Sequence, residues 1–407
     1  MPMVPSGGAG VEVFVEGAAL HTCWCGEPMH VVMLSKALVV GTYQRKLEEI
    51  AKLGVKLTVL VPPSWREPRV GVLPLERRYT QGYTLEVLPI ALNGQHHLHF
   101  YPTLGSTLRR LRPDLLHIDE ESFNLATFQA MRIGVALGAR CCFYNYANIR
   151  RTYPPPFSFF ERYNLRHAAH GLACNQEAAA IMRSHGFQGP LTIVPQVGVD
   201  PELFQPRATA QRSSLFTIGY LGRLVPEKGL LDLIEAMVGL PPHVQLRLIG
   251  DGSQRAILEQ RVAELDLRGR VTIAPAVASS VVPAALQTFD LLVLPSRTTP
   301  SWKEQFGRVL IEAMSCAVPV VGSSSGEIPH VIADAGCIFP EGDIVALRAT
   351  LADLVGDPAR CTELAQRGRR RVLNQFTQAA IAQRHVAVYQ AMLATKKGSG
   401  VVDPSCL

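Results

Sequence analysis

Short, almost unbroken apolar runs alternate with longer stretches of helical periodicity, in two separate series. In the first, HVVMLS (30–35) is followed by helix-like residues 41–53 and by VKLTVLV (55–61). A strand at Asp114–Ile118, a helix near 122–138 and a strand at Arg140–Tyr144 continue it. The second series begins after Pro206 with LFTIGYLG (215–222) and a helix at 229–238, then QLRLIG (245–250) and a helix near 253–265. DLLVLP (290–295), a helix at 307–316 and VPVVG (318–322) complete it. Strands of this kind are buried on both faces, which a parallel sheet between two helical layers provides. The expected fold is therefore α/β, with two doubly wound domains facing a central cleft, where ligands of such sheets bind.

The turn residues of PQVGVDPELFQP (195–206) read as a linker. The expected organisation is a flexible extension (1–28), an N-terminal domain (29–200) and a C-terminal domain (206–375). A helix (376–394, apolar-periodic from Gln378 to Leu393) then packs back toward the first domain, ahead of a mobile tail (395–407).

Composition excludes several classes. With 407 residues, 47% hydrophobic and 18% charged, the chain is globular and long enough for two or three domains. No apolar run reaches the roughly 18 residues of a spanning helix, and no basic residues precede an apolar core at the start. A soluble cytoplasmic protein is expected. The net charge of +6 is spread thinly and argues against nucleic acid as a partner. It suits an anionic small molecule or an anionic membrane surface. Nine cysteines form no disulfide framework, and most sit in apolar runs. His21, Cys23, Cys25 and His30 match no standard zinc spacing, so no metal is expected.

Two motifs carry chemistry. In GYLGRLVPEKG (219–229) a strand ends at Leu221, Gly222 permits close backbone approach, and Arg223 and Lys228 project from one loop. Gly229 opens a helix. Glycine, two cations and a helix N-terminus together suit a diphosphate; a surface loop with solvated charges is the plain alternative. The second motif lies in SWKEQFGRVLIEAMSCAVPVVGSSSGEIPHVI (301–332). Glu304 precedes the Phe306-Gly307 break and belongs in a loop, whereas Glu312 lies among apolar neighbours. A carboxylate there is costly unless something engages it, and a pair of ribose hydroxyls would do so.

GR-x4-KG, GDG (250–252) and LPS followed by E-x-FG-x-x-L-x-EAM-x-C-x-VPVV resemble the donor-binding half of glycosyltransferase family 4. These are retaining enzymes of the GT-B fold, with two Rossmann-like domains. The resemblance covers about residues 215–345; the N-terminal half matches more loosely. It implies a nucleoside-diphosphate sugar as co-substrate, with no further cofactor. Arg223 and Lys228 would hold the diphosphate, with Gly222 and the Gly250-Asp251-Gly252 turn beside them. Glu312 would bind the ribose and Glu304 the transferred sugar. Backbone around Phe306, Gly307, Arg308 and Val309 would meet sugar and phosphate, and Ala276 and Val277 would pack the base. No Asp-x-Asp occurs in the chain, so the two cations would replace a divalent ion.

The N-terminal half departs from the family pattern. Its first loop, SKALVVGTYQR (35–45), holds only Gly41 where family members carry a glycine pair. A His-x-His strand end is replaced by HIDEE (117–121). Acceptor-side candidates are Gly41, His117, Asp119, Glu120 and Asn145, with Asp119 also a candidate catalytic residue. The segment 145–170 interleaves aromatics with Arg150, Arg151, Arg162 and Arg166, which reads either as an acceptor or membrane-surface patch or as core packing. Rival functions are a nucleotide-sugar epimerase of the same architecture and a non-catalytic nucleotide-sugar-binding protein. A dinucleotide-dependent oxidoreductase is disfavoured, because no G-x-G-x-x-G follows the strands at 30–35 or 215–221.

Overall fold

In the computed structural model, which describes residues 28–67, 71–207 and 214–397, the strands gather into two parallel sheets and a small antiparallel ribbon. The first sheet holds β1 (His30–Leu34), β2 (Lys56–Val61), β5 (Thr84–Val87), β6 (Leu115–Ile118), β7 (Arg140–Asn145), β8 (His170–Ala173) and β9 (Leu191–Ile193). The ribbon pairs β3 (Ser64–Glu67) with β4 (Gly71–Pro74). The second sheet holds β10 (Phe216–Leu221), β11 (Val244–Ile249), β12 (Val271–Ala274), β13 (Leu291–Leu294), β14 (Val320–Ser323) and β15 (Cys337–Phe339).

The orders are β5-β2-β1-β6-β7-β8-β9 and β12-β11-β10-β13-β14-β15. In each sheet the chain winds outward from its first strand, returns, and winds the other way. The reversal falls between β1 and β6 in one sheet and between β10 and β13 in the other. Register places Leu34 beside Ile118 and Gly219 beside Leu292. The segments leaving these strands, Ser35 and Asp119 in one domain and Gly222 and Pro295 in the other, flank the crevices where such sheets take ligands.

Two apolar cores follow the two sheets. From the expected linker, Val199 and Phe204 are buried in the second core, and Ser315 Oγ donates to the Phe204 carbonyl at 2.8 Å. The returning chain crosses at the same place. Val199 N donates to Phe376 O at 2.8 Å, and Val199 bridges Thr377. The C-terminal helix, Gln378–Lys397, then buries Ile381, Ala382, Val386, Tyr389 and Met392 in the first core. Cys141, Cys142, Cys174 and Cys316 are buried free thiols. Among the described residues no helix is long and apolar enough to cross a membrane. The expectations for residues 1–27, His21, Cys23 and Cys25 among them, and for 398–407 lie outside the described residues.

Candidate active site between the two sheets

On the C-terminal side, the turn after β10 packs backbone against backbone on the turn after β11. Gly222 N donates to Ile249 O at 3.0 Å and Leu224 N to Asp251 O at 2.9 Å. A side chain at Gly250 would collide with the Gly222 carbonyl, so the two glycine turns can approach only without side chains. Gly229 (φ +63°) turns the chain from the short Pro226–Lys228 helix into helix Leu230–Ala236 and faces the Pro295 carbonyl. The loop carrying Arg223 and Lys228 is thereby fixed against the end of β13.

Lys228 and Glu304, 76 positions apart, meet here. Lys228 Nζ lies 2.5 Å from Glu304 Oε2 and 4.8 Å from the centre of the Trp302 ring. Ser296 Oγ donates to the same oxygen at 3.0 Å. Both charged side chains are largely buried. By contrast Arg223 is 53% exposed, with one loose pairing to Glu227 at 3.7 Å, so its guanidinium is available to a ligand.

Glu312 sits in helix Arg308–Ser315, which starts at Gly307 (φ +74°). It is 9% exposed and 3.1 Å from Arg308 Nε. Burial pushes its carboxyl up to about 7, against the pull of Arg308. Phe306 packs edge-on against Phe376, and Val309 and Val277 are partly buried against the second core. Asp251 accepts from Ala276 N at 2.9 Å and from Arg255 at 2.9 Å, which together hold its carboxyl low. The GDG turn and the Ala276–Val277 segment are thus joined through one side chain.

On the N-terminal side three consecutive acids leave β6, each with a different partner. Asp119 accepts from Ser35 Oγ at 2.7 Å and from the Tyr146 hydroxyl. Burial works against its charge, but Lys46, His117 and these bonds outweigh it and hold the carboxyl low. Glu120 pairs with Lys36 and lies 3.6 Å from His99 Nε2. Burial again opposes, and Lys36 and His99 hold it down to about 2. Glu121 accepts the Tyr146 amide at 3.1 Å. Here burial outweighs that bond and the pull of Lys36, and the carboxyl rises to about 8. Lys36 also sits 5.3 Å over the Trp65 ring.

Three acceptor-side candidates are spent on the fold. His117 is buried under the C-terminal helix, with Nδ1 2.7 Å from the Tyr389 hydroxyl and its ring stacked on His385. Burial lowers its pKa to about 4, so it is a neutral core histidine and not a cleft residue. The Asn145 amide donates to the Ala178 carbonyl at 3.4 Å. Gly41 donates its own amide to Glu76 Oε2 at 2.9 Å, and the Arg78 side chain covers it. The aromatic segment divides. Phe160 stacks on Phe128 and Tyr153 on Phe123, whereas Phe159 is 55% exposed beside exposed Arg162 and Arg166.

The cleft also contains contacts that motif reading passed over. Lys303, Gln305 and Glu327 of the C-terminal domain reach Glu177, Asn175 and Gln176 of the N-terminal one. Adjacency of Lys303 and Gln305 to Glu304 was the one available signal. Among the described residues no group of three His, Cys, Asp or Glu side chains is arranged to hold a metal ion.

Comparison with known proteins agrees with this architecture. Residues 43–203 match the family model described as Glycosyltransferase Family 4, and residues 203–371 match Glycosyl transferases group 1. The chain is 30% identical over 209 residues to the MMP alpha-(1->4)-mannosyltransferase of Mycolicibacterium hassiacum, covering 50% of this chain and 49% of that protein. It is 25% identical over 365 residues to the lipopolysaccharide core biosynthesis glycosyltransferase LpsE of Rhizobium meliloti, covering 85% and 93%. Among solved structures, Anabaena HepE in complex with UDP superposes with a TM-score of 0.68 at 18% identity, over 89% of this chain and 100% of that one. The chain spans about half the length of the first curated relatives it matches. Two family models meeting at residue 203, one for each half, and a GT-B pair of parallel sheets place this chain in glycosyltransferase family 4.

Proposed function

We propose that the protein transfers a sugar from a nucleoside-diphosphate sugar to a hydroxyl acceptor, with retention at the anomeric carbon and without a metal. The observation that carries this reading is the Lys228–Glu304–Ser296 cluster beside the exposed guanidinium of Arg223, at the β10/β13 reversal. Breaking the anomeric bond loads negative charge on the diphosphate, and fixed cations stabilise that charge more in the transition state than in the ground state. An ammonium has three donor protons. One of those on Lys228 is committed to Glu304, which leaves donors for a phosphate oxygen. Glu304, held by Lys228 and Ser296, would accept from hydroxyls of the transferred sugar, and Glu312 from the ribose. The acceptor oxygen bonds to the anomeric carbon on the face the diphosphate leaves, and the departing phosphate oxygen takes the acceptor proton.

Anabaena HepE has been solved with UDP and with UDP-glucose. A Mycolicibacterium smegmatis relative is named as a GDP-mannose-dependent phosphatidylinositol monomannoside mannosyltransferase. Both favour a nucleotide sugar and leave the base open. A peripheral contact with an anionic membrane belongs to the same proposal. The segment 145–170 carries four arginines and a single acid, Glu161, and basic-aromatic surfaces favour anionic lipid headgroups.

The test is release of nucleoside diphosphate from UDP-, GDP- and ADP-sugars, with and without lipid and glycan acceptors, followed by NMR of the product anomer. Acceptor-dependent release with an anomer matching the donor is expected. Sugar epimerisation without an acceptor, or binding without release, would replace the reading by one of its rivals.

A further inference from the structure

The loop that carries Glu304 is tied to the N-terminal domain on both sides of that residue. Lys303 Nζ lies 2.6 Å from Glu177 Oε1, and the Lys303 carbonyl accepts from Asn148 Nδ2 at 3.5 Å. On the other side, the Gln305 carbonyl accepts from Asn175 Nδ2 at 2.8 Å, and Gln305 Nε2 donates to the Tyr146 carbonyl at 3.0 Å. Glu327 completes the set. Its amide donates to the Glu304 carbonyl at 3.0 Å, and its carboxylate accepts from Gln176 N at 3.3 Å. The Glu304 side chain makes none of these bonds and points instead to Lys228 and Ser296. The residues on either side of Glu304 are therefore held by the N-terminal domain, while its own carbonyl and carboxylate are held within the C-terminal one.

Asn175 has little freedom in this arrangement. It is fully buried, and its Oδ1 caps helix Gln176–Ser184 by accepting from Ala178 N at 2.8 Å. With the oxygen fixed, Nδ2 is directed across the cleft at Gln305. Glu177 lies in the first turn of the same helix, so one rigid helix end presents both groups to the loop.

We propose that Asn175, Glu177 and Lys303 are positioning residues for turnover: they set the Glu304 backbone, so that its carboxylate reaches the transferred sugar only when the two domains are apposed. The inference rests on the reading of Glu304 as the sugar-contacting group. Its physical basis is the steep dependence of rate on placement, where a shift of about 1 Å at a catalytic group can cost about 100-fold. Donor could then bind the C-terminal domain alone without meeting a complete site, and its loss to water would be limited.

The experiment compares Glu177→Gln, Lys303→Met and the charge-exchanged pair Glu177→Lys/Lys303→Glu with the full-length enzyme. The readouts are kcat, nucleoside diphosphate Kd and melting temperature. Each single substitution should lower kcat about tenfold or more, with Kd within about twofold of wild type and the melting temperature unchanged, because a half-exposed ion pair contributes little stability. The exchanged pair should recover most of the lost kcat. Asn175→Ala removes a helix cap and serves only as support if it folds. Glu304→Gln is measured in parallel. Should it leave turnover intact, the reading of Glu304 fails. Should it lower turnover while both single variants keep wild-type kcat, or while the exchanged pair recovers nothing, the positioning role alone is overturned.

Discussion

Donor binding should depend on pH through Glu312. Its carboxyl is buried in helix Arg308–Ser315 and raised to about 7. As a ribose ligand it works in the ionised form, which accepts hydrogen bonds from two hydroxyls; the protonated form loses part of that capacity. With a pKa of about 7 the ionised fraction is about 90% at pH 8 and about 10% at pH 6, so the Glu312 contribution should weaken about ninefold over that interval. Hydrogen bonds to a charged group contribute about 1.5–3 kcal/mol, and Glu312→Gln should weaken binding at pH 8 by a factor on the order of 10 to 100. The assay is calorimetric titration with the tightest-binding nucleoside diphosphate, on both proteins, at pH 6, 7 and 8. The ligand's own titration cancels in the ratio of the two Kd values. That ratio should fall about ninefold from pH 8 to pH 6. A ratio independent of pH would refute the reasoning, since the carboxylate would then either not titrate in this range or not touch the nucleoside.

Three further outcomes are expected. Lys228→Ala and Arg223→Ala should each lower turnover about 100- to 1000-fold, with activity unaffected by EDTA; Arg223→Lys should rescue only in part, because an ammonium lacks the planar fork that grips two phosphate oxygens. Gly229→Ala should destabilise the C-terminal domain and weaken donor binding, since φ is +63° and the new Cβ would meet the Pro295 carbonyl; thermal unfolding and donor titration of the variant check this. His117 and His385 are held neutral by burial, at about 4 and about 3, below the unfolded value, so the stability they carry is complete above about pH 6.5 and is lost as pH falls toward their folded pKa values. The loss per histidine is at most about 1.4 kcal/mol per pH unit, and His385→Leu, which removes one of the two, should make the melting temperature fall less steeply between pH 7 and pH 5.

The strands that were legible in the sequence are the interior ones. β1, β6, β7, β13 and β14 have neighbours on both sides and helices on both faces, so their residues are apolar with little interruption. Unread strands fall mainly at the rims. β5, β9, β12 and β15 are the four outer strands of the two sheets, each three or four residues long with exposed or half-exposed positions. Covering such a strand on one side removes the pressure for an apolar run, and its signal sinks into the surrounding loops. β8 is the interior exception. It is only four residues long, and one of them, His170, is made acceptable to the core by hydrogen bonding to Thr192 Oγ1.

The same division governs the site. Arg223, Lys228 and the two glycine turns occupy short continuous segments, so the motif that carries the family resemblance was legible there, while spacing alone left a solvated surface loop open. His117 and Asn145 were placed in the cleft because they lie near strand ends, but both are still within their strands. A residue inside β6 or β7 points into the core; Asp119 to Glu121 and Tyr146 follow the last ladder positions at the carboxyl edge of the sheet, and of these Tyr146 meets the other domain through its carbonyl. Two positions along the chain therefore separate a core histidine from a carboxylate at the exit of the strand. Partnerships such as Lys228 with Glu304, or Glu177 with Lys303 across 126 positions, leave no periodic trace at all, because each member satisfies its own local environment. They exist only once both sheets are built and set face to face. Residues beside a legible motif, as Lys303 and Gln305 are beside Glu304, are accordingly where the domain interface enters the chemistry: the loop that presents the carboxylate to one domain also touches the second, through the carbonyls and side chains of these two neighbours.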